Sequence, residues 1–81
     1  MNINDAAKAV LAKHKDSHAT YGYDLGTFFV ISIKPNNWND DDILLDPFFA
    51  VDKRNGLISE WSPLMDMPGF KKAKETAIKF S

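Results

Sequence analysis

The sequence contains no cysteine. That absence excludes disulfides, thiolate zinc sites and thiol nucleophiles together. Small secreted domains usually lean on disulfides, so it also points to a reducing, cytoplasmic location. No apolar run approaches the roughly 18 residues that a membrane-spanning helix needs. Asn2, Asn4 and Asp5 stand where a secretory signal would carry basic residues and then an apolar stretch. A basic excess is missing as well. The formal net charge is −1, whereas a domain that grips nucleic-acid phosphates normally carries a strong positive balance. The motifs G-x-S-x-G, the P-loop and G-x-G-x-x-G are all absent, and nothing beside Ser17, Ser32, Ser59, Ser62 or Ser81 would activate a hydroxyl. The expectation is a protein that is not an enzyme, with no cofactor, no metal, no nucleic-acid partner and no membrane partner.

What is present suits one small folded unit, residues 1–81. Hydrophobic residues make up 44% of the chain and charged residues 26%, too apolar for a disordered segment. A domain this short buries only about 60% of its unfolded surface, and the six Phe, two Trp and two Tyr supply the bulk such a core requires. Ile3, Ala6, Ala7, Val10, Leu11 and His14 recur at helical spacing and predict a helix over 4–17, with Asn4 as its N-cap. The residues from Tyr21 to Gly26 break that pattern and read as a lead-in. Residues 27–33 then form the strongest strand signal, β-branched and aromatic throughout, with Phe29, Ile31 and Ile33 on one face and Phe28, Val30 and Ser32 on the other. Both faces are largely apolar, which marks a central strand.

After a polar loop, residues 48–52 and 57–61 predict a hairpin, Asn55-Gly56 supplying either a four-residue turn or a tight turn with a bulge. Pro63 ends the last strand. Asp66 and Pro68 then open a helix whose stripe of Phe70, Ala73, Ala77, Ile78 and Phe80 runs nearly to the end of the sequence. The predicted fold is α+β in the order α-β-β-β-α: a three-stranded antiparallel meander with two helices packed on one face.

Few residues suggest chemistry. His14 and His18 stand four apart, a spacing that suits zinc on a helix face, but H-E-x-x-H is absent and Lys13 and Lys15 oppose a cation. Asp40, Asp41 and Asp42 lack the alternation, the glycine and the distant glutamate of a calcium loop; they read as a solvated loop, one Asp capping a short turn before Ile43, Leu44 and Leu45. Charge is segregated, with seven acidic residues between Asp40 and Asp66 and four lysines (Lys71, Lys72, Lys74, Lys79) after them. Trp38 lies in the polar loop with nothing apolar beside it. Tryptophan is enriched at binding hot spots, and acidic neighbours would steer a basic partner toward it. Trp38, Asp40, Asp41 and Asp42 are the candidate partner-binding residues, the competing expectation being that the Trp38 indole folds back to cover an open edge of the small core. Trp61, on a strand, is expected to be core or half-buried, and Met65 and Met67 to form an adaptable apolar patch.

The stretch from Asp46-Pro47 through Val51-Asp52 and Asn55-Gly56 to Trp61-Ser62-Pro63 resembles a hairpin found in small bacterial immunity proteins and in short prophage or mobile-element domains. The resemblance covers only that hairpin and carries over no functional residue. It implies action by binding another protein, as an immunity-like inhibitor would. The competing expectation is a structural domain that self-associates, as a homodimer, through a free sheet edge.

Overall fold

The computed structural model describes residues 1–36 and 47–80. The chain runs helix α1 (Ile3–Lys13), strands β1 (Ser17–Asp24), β2 (Phe28–Pro35), β3 (Phe48–Asp52) and β4 (Ile58–Trp61), a 3-10 turn (Pro63–Met65), helix α2 (Met67–Lys74) and strand β5 (Ile78–Lys79). The strands make one five-stranded antiparallel sheet in the order β4-β3-β2-β1-β5. The class is α+β as expected, and β2 is central. However, the sheet has five strands rather than three, and the helices lie on opposite faces rather than one.

The two faces follow from the alternation along β2. Phe29, Ile31 and Ile33 pack with Val51, Ala19 and the Ala6, Ala7 and Val10 stripe of α1. The small alanines let the helix lie close to the sheet. On the other side Val30 and Phe28 pack with Tyr23, Phe48, Trp61 and the Phe70 and Ala73 of α2. A strand apolar on both sides needs a layer on each, and two helices on one face would have left the second face wet.

Strand β1 went unread because Gly22 and Asp24 look like loop residues and because its alternation is broken. The register slips between Ala19 and Tyr21, and at this bulge the Thr20 hydroxyl turns to the backbone carbonyl of Ser32 (3.1 Å) and to its hydroxyl (2.7 Å). Gly22 is a close-approach site rather than a breaker. A Cβ there would lie 2.7 Å from Ile3 Cδ1 and 2.8 Å from Phe80 Cε2, so α1 and the chain after β5 both close over it. Gly22→Val is expected to lower stability by about 1–3 kcal/mol through overpacking. Thermal unfolding checks it, and an unchanged Tm would show that Ile3 and Phe80 swing aside.

The ends of the elements have local causes. Asn2, not Asn4, caps α1, its Oδ1 accepting from the Asp5 amide at 2.9 Å. The helix stops at Lys13, four residues short of the expected end. The β1–β2 hairpin closes on Gly26-Thr27, with Leu25 N–H bonded to Phe28 O and Gly26 at φ 100°. The β3–β4 hairpin forms as expected around four turn residues, closed by Asp52 N–H to Leu57 O, with Gly56 at φ 72°.

Asp66 caps α2 through the Gly69 amide, with Pro68 in the first turn. The helix ends at Lys74 instead of continuing. Phe70, Ala73 and Ala77 all belong to the α2 face, but Phe80 packs on the α1 face. One helical stripe cannot serve both sides of a sheet. The chain therefore leaves the helix, pairs as β5 with Tyr21 and Gly22 of β1, and turns Phe80 to the other side.

Candidate functional site

Trp38, Asp40, Asp41 and Asp42, and the turn expected before Ile43, lie outside the described residues. His14 and His18 do not share a helix face. His14 is the C-cap of α1, with its ring 4.6 Å from that of Phe49. His18 is on β1, with Nδ1 3.0 Å from Asn36 Oδ1. Among the described residues no three His, Cys, Asp or Glu side chains gather as a metal would require. None of the described helices is long and apolar enough to cross a membrane. The lysines sit on exposed surface, Lys71, Lys72 and Lys74 on α2 and Lys79 on β5. The three on α2 occupy its last turn, where cations complement the helix dipole, and Lys74 Nζ lies 5.5 Å from the Phe70 ring centroid.

Charge is also ordered at the turn end of the sheet. Lys53 Nζ bonds Asp24 Oδ1 at 2.7 Å and lies 4.6 Å from the Phe29 ring centroid. That ammonium, helped by the Gly26 amide, holds the Asp24 carboxyl below its ordinary value. The Arg54 amide and then its guanidinium lower Asp52 in the same way. Both carboxylates tie turns, Asp24 through the Gly26 amide and Lys53, and Asp52 through the Arg54 amide.

Of the two sheet edges among the described residues, β4 and the two-residue β5, β4 is the longer. Antiparallel pairs alternate between residues that exchange backbone hydrogen bonds and residues that do not. The Asp52–Leu57 bond on one side of β3, with Ile33–Pro47 and Lys53–Thr27 on the other, fixes that alternation. Residues 57, 59 and 61 turn their backbone groups to β3, so Ile58 and Glu60 turn theirs outward. No described strand pairs with that edge. It carries no proline between Ile58 and Trp61, and Glu60 is its single charge.

Beside this edge a shallow groove is lined by Phe28, Ala50, Leu57, Ser59 and Trp61, among others. Helix α2 has only eight residues; it covers Tyr23 and Val30 and meets this strip where Phe70 packs against Trp61. Trp61 is half-buried, as expected from its strand, its ring 5.7 Å from Phe70 and 6.1 Å from Phe28. Leu57 is 68% exposed. Leu64, Met65 and Met67 are exposed in the segment that follows β4.

Sequence reasoning foresaw a free sheet edge but could not say which one, because the strand count decides that. Residues 57–61 are a hairpin arm followed by a helix, and only the fold shows that the later strand β5 pairs with β1 rather than with β4. No protein-family model, no curated protein and no solved structure matches the chain.

Proposed function

We propose that this protein is a protein-interaction module that works by accepting an extended strand along β4. The observation that carries the reading is the outward row of backbone groups at Ile58 and Glu60, unpaired among the described residues and continuous with an aromatic groove. Main-chain hydrogen bonds along such an edge supply affinity, and the groove selects the side chains that accompany them. A half-buried tryptophan walled by Phe28 and Phe70 is the kind of rigid anchor on which binding energy concentrates. The hairpin resemblance to immunity-type domains agrees with a binding role. The segment holding Trp38, Asp40, Asp41 and Asp42 precedes β3, the neighbour of β4, in the sequence.

Proline at position 60 tests the reading with little damage to the fold. The Glu60 N–H points away from β3, its side chain is exposed, and proline is tolerated on an edge strand at such a position. A tagged chain, co-expressed with an untagged copy, is expected to retain a bound protein from lysate at defined stoichiometry. The folded Glu60→Pro variant should lose that protein at least tenfold, and the Ile58 and Glu60 amides should exchange more slowly in the wild-type complex. Equal retention by both would remove β4 from the interface and overturn the proposal.

A further inference from the structure

The β4 edge is self-complementary in one register, and we infer that its occupant is a second copy of this chain, paired antiparallel about Ser59; the inference rests on the strand-accepting role proposed above. The edge is bounded on both sides. Gly56 at φ 72° leaves the extended conformation at one end, and Pro63 begins the 3-10 turn at the other. A symmetric pair confined to residues 57–61 must centre on residue 59. That centre also satisfies the backbone, since the outward groups of Ile58 meet those of Glu60 from the other copy, and reciprocally. Centring on Glu60 would set two like charges directly opposite, which is destabilising. Centring on Ile58 would leave Trp61 of each copy beyond the paired stretch.

Side chains agree with the Ser59 centre. Residues 57, 59 and 61 share the α2 face, so each exposed Leu57 comes opposite the Trp61 of the other copy. An aliphatic–aromatic cross-strand pair forms at both ends, and Leu57 extends the Phe28, Ala50 and Trp61 wall of the groove. On the α1 face each Ile58 lies beside the aliphatic stem of a Glu60; on the α2 face Ser59 meets Ser59 at the two-fold axis. Two five-stranded sheets become one of ten strands. A strand pair of this length is a small interface, so the association is a concentration-dependent equilibrium rather than a permanent dimer.

The absence of cysteine makes the register directly testable. Ser59 is exposed and would form a non-hydrogen-bonded pair, the arrangement with the shorter Cα separation of about 4.5 Å, within the range that a disulfide spans. Under mild oxidation Ser59→Cys is expected to become a disulfide-linked dimer in high yield, while Ile58→Cys stays monomeric. Light scattering of the wild type should show the mass rising toward twice the monomer value with concentration, and Glu60→Pro should hold it at one. Cross-linking of Ile58→Cys in place of Ser59→Cys would overturn the register. A wild type that remains monomeric, while a different protein still slows exchange at Ile58 and Glu60, would overturn the second copy and leave the edge reading standing. A dimer that survives Glu60→Pro would overturn the second copy at β4, and equal retention of a different protein by both versions would overturn the edge reading.

Discussion

Phe70→Ala is expected to cost the fold about 3–5 kcal/mol, the usual loss for a buried phenylalanine. Phe70 is the hub of the second core. Its ring lies 4.9 Å from Tyr23, 5.6 Å from Phe48 and 5.7 Å from Trp61, and it is the large apolar side chain by which α2 grips the sheet. Truncation leaves a cavity bounded by three rings held on three different strands, which cannot close inward together. An 81-residue domain is stable by roughly 4–12 kcal/mol, so the loss takes a large share of the total. The midpoint of thermal unfolding should fall by at least about 12 °C. Trp61 emission should also shift to longer wavelength at temperatures where the far-ultraviolet circular dichroism is still native. A variant whose midpoint falls by less than about 4 °C would mean that α2 is held by something other than this ring.

Ile31→Ala should rival it from the opposite face, at about 2–5 kcal/mol. Ile31 is fully buried in the middle of β2, between Gly22 and Phe49 in the strand register and beneath α1. Alanines already fill the helix side of this layer at Ala6 and Ala7, and α1 cannot move closer without its backbone meeting the sheet. The cavity therefore persists. Ile31→Val serves as the calibrant, with an expected loss of about 0.5–1.5 kcal/mol. Denaturant midpoints for the two variants should separate clearly, and equal midpoints would show that the α1 layer relaxes to fill the space.

These two residues mark what the sequence made legible. Ile31 sits in a stretch whose β-branched and aromatic character survives any context, and the strand, its central place and its two apolar faces could all be read from it. The β3–β4 hairpin was equally plain, because Asn55-Gly56 between two apolar runs has few other uses. Phe70 was assigned correctly to a buried helix stripe, but the face it buries could not be known. That depends on the chain crossing beneath the sheet from β4 to the far side of β1, a long-range event with no local signature. Strand β1 was lost for a different reason. Gly22 is as easily a turn residue as a seat for Ile3 and Phe80, and only the packed structure separates the two. The candidate site divides in the same way. Trp61 and the free edge were readable in kind, while the outward direction of Ile58 and Glu60 required the register of three strands.

The return of β5 to β1 also orders how the fold can assemble. From β1 to β4 each strand pairs with the one that follows it, so these pairings carry little loop-closure entropy and can form early. The pairing of Tyr21 and Gly22 with Ile78 and Lys79 joins opposite ends of the sequence and has to wait for a sheet to cross. Formed in that order, a four-stranded sheet has two open edges, and β5 covers part of one of them, with Phe80 laid over Gly22. Among the described residues the β4 edge is unpaired in the finished sheet, as is the outer side of the two-residue β5. Before that late closure the β1 edge is also exposed, so the interval before β5 docks is the time when wrong strand partners have their best access.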